Sequence, residues 1–94
     1  MKLLIAEDEP LCLSGLTELD WTDCGISETF TAEDGEEAYN LALAKKPDII
    51  LSDIKMPKMD GLELAEKLAV ALPESRFIIL TAYNNFSYAQ TAIS

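Results

Sequence analysis

Four short apolar runs, each followed by a polar stretch and then by apolar residues at helical spacing, constrain this chain more than any other feature. Lys2 to Ala6 is the first run, and Ile26 to Thr31 the second, less cleanly patterned and expected at a sheet edge. Ile49 to Leu51 is the third, continuously apolar and expected to be buried on both faces; Arg76 to Leu80 is the fourth. Between them lie helical patterns. Pro10 opens one that runs to about Leu19, because a proline fits the first helical turn, where its missing N–H has no partner to lose. Asp34-Gly35-Glu36-Glu37 and Asp60-Gly61-Leu62-Glu63 each offer a capping Asp with Glu three positions on. The helices they open end near Lys46 and before Pro73, and the one from Gly61, with Leu64, Ala65, Leu68, Ala69 and Leu72 on one face, carries the clearest period. A last helix begins near Asn85 or Phe86. Asp20 to Gly25 reads as a loop in which Trp21 lids the core.

The order βαβαβαβα demands an α/β fold: a doubly wound parallel sheet, right-handed crossovers and helices on both faces. Its 94 residues, 49% of them hydrophobic, form one domain, 1–94. No apolar run approaches the roughly 20 residues that span a bilayer, and the start turns acidic at Glu7 before a secretory apolar region develops, so the chain reads as cytoplasmic. Cys12 and Cys24 fit no metal spacing, have no His to join them, and are expected as free packed thiols. A formal net charge of −10 argues against direct binding of nucleic acid or an anionic membrane, because the mean field repels phosphate. Most of the acidic residues merely keep the domain soluble.

Position singles out the exceptions. In a parallel sheet every strand ends on the same rim, where open α/β sheets bind their ligands. Glu7 and Asp8 follow the first strand, Asp53 the third and Thr81 the fourth. Carboxylates crowded there repel one another unless one keeps its proton or a cation binds. With oxygen ligands only, that cation is hard, Mg²⁺ first and Ca²⁺ or Mn²⁺ after. A carboxylate beside it can attack a phosphoryl group and form an acyl phosphate. Taken alone, Asp53 is an ordinary turn residue and Glu7-Asp8-Glu9 merely complements the next helix's positive end; together on one rim, Asp8 and Asp53 read as functional, Glu7 with them, and Glu9 does not.

Glu7-Asp8 after the first strand, Ser52-Asp53-Ile54-Lys55-Met56-Pro57-Lys58-Met59-Asp60-Gly61 after the third and Leu80-Thr81-Ala82 after the fourth resemble the receiver domain of two-component response regulators, over the whole chain. The resemblance implies a flavodoxin-like sheet of order 2-1-3-4 and then a fifth strand. It implies that Asp53 accepts a phosphoryl group from a histidine kinase; that Asp8, Asp53 and the Lys55 carbonyl bind Mg²⁺ directly, with Glu7 acting through water; that the Thr81 hydroxyl and Ala82 amide bind the phosphoryl oxygens; and that Lys55 and Tyr83 flank the entrance. Such a domain is a switch rather than an enzyme and passes its state to an output domain. Receivers also carry a lysine at the end of a fifth strand, whereas the last lysine here is Lys67. The chain therefore resembles a receiver cut before its fifth strand and fifth helix, with an open strand-four edge through which it is expected to dimerise. Leu80-Thr81-Ala82-Tyr83-Asn84-Asn85-Phe86-Ser87-Tyr88-Ala89-Gln90 and the Leu19-Asp20-Trp21 turn are similar to receivers ahead of AraC-type DNA-binding domains.

Two other classes compete. A haloacid-dehalogenase-like phosphatase also uses an aspartyl nucleophile and Mg²⁺, but needs a second Asp two positions on, where this chain has Lys55. A docking module would keep the fold without the chemistry. A flavin site is excluded by Glu-Asp-Glu-Pro in the first βα turn, which repels phosphate.

Overall fold

The computed structural model describes residues 1–80; Thr81, Ala82, Tyr83 and the expected last helix lie outside the described residues. The elements run β1 (Lys2–Ala6), α1 (Pro10–Thr17), a 3-10 turn (Trp21–Cys24), β2 (Glu28–Ala32), α2 (Gly35–Lys45), β3 (Ile49–Ser52), α3 (Gly61–Ala71) and β4 (Arg76–Ile79). All strand pairs are parallel and the sheet order is β2-β1-β3-β4, the flavodoxin-like order expected. Its register sets Ala6 against Ala32 on one side and Ser52 on the other, so these strands finish level.

Strict alternation along β1 sorts the core into two layers. Leu4 and Ala6 face Ala38 and Ala42 of α2 and Leu64 and Leu68 of α3, joined by Ile50, Met56 and Met59. Leu3 and Ile5 face the other way with Ile26, beneath Leu13 and Leu16 of α1 and the half-buried Trp21, which lids that layer as expected. The Trp21 indole N–H donates to the Leu16 carbonyl at 2.9 Å, so its polar end is satisfied inside the lid.

Both Asp caps form. Asp34 Oδ1 accepts from the Glu37 N–H at 2.7 Å, and Asp60 Oδ1 from the Glu63 N–H at 2.8 Å. Pro10 stands at the first position of α1 with Glu9 as its cap. Some expectations shift. The first helix stops at Thr17 rather than Leu19, and β2 starts at Glu28, so that Ile26 is buried from the loop before the strand. β3 is fully buried on one face only: Ile50 is buried while Ile49 and Leu51 are half-buried, because among the described residues α1 is the one helix covering their side. Cys24 is exposed, not packed, since it ends a 3-10 turn with no buried residues. No helix among the described residues is long and apolar enough to cross a membrane.

Candidate functional site

The first residue beyond β1 is Glu7 and the first beyond β3 is Asp53. The ladder continues one step past the strands through the Glu7 N–H to the Ala32 carbonyl and the Asp53 N–H to the Ala6 carbonyl, both 3.0 Å. Level strand ends and one further ladder bond each therefore bring residues 46 positions apart onto the same rim. Glu7, Asp8 and Asp53 present carboxylate oxygens that all lie within 4.8 Å of one another.

The burial of this cluster is extreme for charged groups: Glu7 is 1% and Asp53 4% exposed, with only Asp8 open to solvent. Local geometry supplies part of the compensation. Glu7 Oε1 accepts the Glu9 N–H at 3.0 Å, and Asp53 Oδ1 accepts the Ile54 N–H at 2.8 Å. Glu7 Oε2 has no hydrogen-bond partner. Burial pushes the Glu7 carboxyl up from 4.5 to about 7, against the pull of the Glu9 N–H and with added repulsion from Asp53 and Asp8. Burial likewise raises Asp53 above the ordinary aspartate value, opposed by the Ile54 N–H, with Asp8 raising it further and the Lys55 charge lowering it. Both shifts favour the protonated form, so a proton or a bound cation would relieve the crowding of Glu7, Asp53 and Asp8.

The loop from Asp53 to Gly61 is closed at its neck, where the Gly61 N–H donates to the Ile54 carbonyl at 2.7 Å. A side chain at Gly61 would collide with the Asp53 carbonyl oxygen, so glycine permits a close backbone approach at the residue that carries the buried carboxylate. Lys55 is exposed on the same loop. Glu9 caps α1 and lends only its main-chain N–H to the cluster.

Sequence reasoning missed four contributors. The Glu9 amide follows from the turn into Pro10, and Ser52, buried at the end of β3, hydrogen-bonds the Asp53 carbonyl at 2.8 Å. Met56 and Met59 are buried on the core layer beneath α2 and α3; their spacing around Pro57 in a loop gave no periodic signal. The Lys58 side chain is 60% exposed, and its ammonium lies 3.7 Å from Asp34.

The donor set tests well for a hard cation: three carboxylates, one buried oxygen lacking a partner, and no nitrogen or sulfur ligand among them. Fold and rim together define an α/β domain with a cluster of carboxylates at the carboxyl ends of its central strands. The chain belongs to the response regulator receiver domain family, which matches residues 3–94.

It is 40% identical over 93 residues to the transcriptional regulatory protein YesN of Bacillus subtilis, covering 98% of this chain and 25% of that protein. The chain thus spans about a quarter of that relative's length. Among solved structures, the receiver domain of AraT, a response regulator from Geobacillus stearothermophilus, superposes with a TM-score of 0.87 at 44% identity, covering 98% of this chain and 72% of that one. A two-component transcriptional regulator AraC from Clostridium phytofermentans gives 0.83 at 30% identity over 100% of this chain and 74% of that one. The similarity to receivers of AraC-type regulators seen in the sequence is therefore present in its relatives.

Proposed function

We propose that this domain is a phosphoacceptor switch in which Asp53 takes a phosphoryl group from a phosphohistidine on a cytoplasmic sensor kinase. The observation that carries this reading is the packing of Asp53 against Glu7 and Asp8 within 4.8 Å, with one buried oxygen left without a partner. Structure is rarely organised so for stability alone, because a buried carboxylate without a partner costs several kcal/mol.

The chemistry follows from which atoms are free. Asp53 Oδ1 is occupied by the Ile54 N–H, which leaves Oδ2 as the nucleophile. Oδ2 bonds to phosphorus as the phosphorus–nitrogen bond of the donor breaks, and the imidazole leaves with the bonding electrons and takes up a proton. The product is an aspartyl phosphate. Mg²⁺ held by Asp8, Asp53 and the Lys55 carbonyl, with Glu7 through water, would supply positive charge to the phosphoryl oxygens. Asp8 is the exposed member and guides the cation in; the Ile54 N–H orients Asp53; the neck at Gly61 fixes its main chain. Thr81 and Ala82, the next residues after Leu80, are proposed to hold the phosphoryl oxygens, with Tyr83 flanking the entrance. The Leu80 N–H bonds the Ser52 carbonyl at 2.7 Å, so the last described residue lies beside the end of β3, which supports this reading.

The relatives are transcriptional regulators, and a DNA-binding output domain is the proposed recipient of the switch. A phosphatase is disfavoured because exposed Lys55 stands where a general acid would be needed. The test is to incubate the chain with Mg²⁺ and a small phosphodonor and seek an acid-stable, base-labile phosphoryl adduct by intact mass spectrometry. An adduct lost in Asp53→Asn supports the switch; steady phosphate release supports turnover; absence of any adduct supports a docking module.

A further inference from the structure

Asp53 begins a loop whose far tip rests on a helix distant in sequence, and the resting point is a glycine. Gly35, the first residue of α2, donates its N–H to the Pro57 carbonyl at 3.4 Å. A Cβ on Gly35 would run into the Met59 carbonyl oxygen and stand 2.6 Å from its carbon and 2.7 Å from the Met59 Cβ. Two of these three atoms are main chain and cannot swing aside as the end of a side chain can. The Met59 side chain is 9% exposed and sits in the layer formed with Ala38 and Ala42 of α2. Lys58, between Pro57 and Met59, holds a φ of 70°, a left-handed conformation that a non-glycine residue keeps only when its surroundings enforce it. Its ammonium is 3.7 Å from Asp34, the residue before Gly35.

We infer that Gly35 is a positioning residue for the acidic cluster: it seats the tip of the β3–α3 loop and thereby sets the orientation of Asp53 and the Lys55 carbonyl. This rests on the reading of Asp53 as phosphoacceptor. The coupling is mechanical. The loop is closed at Ile54–Gly61 and pinned at Pro57–Met59, so a shift at the pinned tip is passed to the neck, and the Ile54 N–H that orients the Asp53 carboxylate belongs to that neck. Gly35 touches neither cation nor phosphoryl group and acts through the loop alone.

The test compares Gly35→Ala with Ile26→Val, a core truncation on the opposite face of the sheet that lowers stability without touching the loop. In cation-free protein, amide resonances of Ile54, Lys55 and Gly61 are expected to move in Gly35→Ala and to stay in place in Ile26→Val. Mg²⁺ titrated alone is expected to bind at least tenfold more weakly to Gly35→Ala and unchanged to Ile26→Val. Unmoved loop amides, or unchanged Mg²⁺ affinity with moved amides, overturn the inference. If the wild-type chain takes up neither Mg²⁺ nor phosphoryl, the phosphoacceptor reading fails, and the amide comparison still decides whether Gly35 seats the loop. Should Gly35→Ala not fold, Met59→Ala unseats the tip from the other side; it is expected to move the same amides, and their staying in place overturns the inference.

Discussion

β3 carries an aspartate near each of its ends, and the two have opposite lives. Asp48, before the strand, accepts the Lys2 N–H at 2.8 Å, while its own N–H reaches the Lys2 carbonyl at 2.9 Å and its carbonyl takes the Arg76 N–H at 2.9 Å. Around it Ser75 Oγ donates to the Pro47 carbonyl at 2.6 Å. That end of the sheet is stitched. At the other end Asp53 is buried among like charges, with an elevated pKa and a neighbour whose buried oxygen lacks a partner. The same strands thus spend one rim on stability and leave the other with repulsion that only a proton or a cation relieves.

The comparison breaks most sharply at the two aspartates themselves. Asp53→Asn is expected to abolish the phosphoryl adduct altogether, whereas Asp48→Asn should leave adduct formation at the wild-type rate, both read by intact mass. Mg²⁺ is expected to stabilise the wild type against urea by about 2.7 kcal/mol at a concentration a hundredfold above its dissociation constant, and Asp8→Asn to remove most of that gain.

Protons sharpen the contrast further. Folded Glu7 titrates near 7 against 4.5 for the free side chain, so the folded state holds the proton more tightly than the unfolded chain. Raising the pH through that window therefore removes stability, on the order of 3 kcal/mol, in cation-free protein. Asp53, shifted in the same direction, adds to the loss. Glu7→Gln should flatten this slope in urea melts recorded from pH 4.5 to pH 7.5 and raise stability at the upper end. The smallest effect belongs to the stitched rim: Asp48→Ala should cost about 1 kcal/mol, read from urea melts.

Much of this was legible from the chain. Asp34 and Asp60 announced their helices because a cap is a local contact, satisfied within three residues. Pro10 and Pro73 marked boundaries for the same reason. Lys2 to Ala6 read as a strand, but its unbroken apolar run did not say which residue faces which core layer. Burial on the two faces of β3 was not legible, since it depends on how much of the sheet the short α1 covers. Nor was the exposure of Cys24, which follows from a 3-10 turn lying outside the core. For the site, the identity of Glu7, Asp8 and Asp53 came from their place after apolar runs. The raised pKa of Glu7, the support of the Glu9 and Ile54 amides and the seat of the loop on Gly35 did not.

The sequence by itself determined which elements form, their order and the parallel sheet, because periodicity, caps and prolines act over a few residues and βαβ connections leave one handed solution. Only the tertiary structure decided how deeply Glu7 and Asp53 are buried, which of their oxygens find donors and what the loop after β3 leans upon. Those properties depend on strand register and on the close approach of backbones far apart in the chain, and no local pattern encodes a distance.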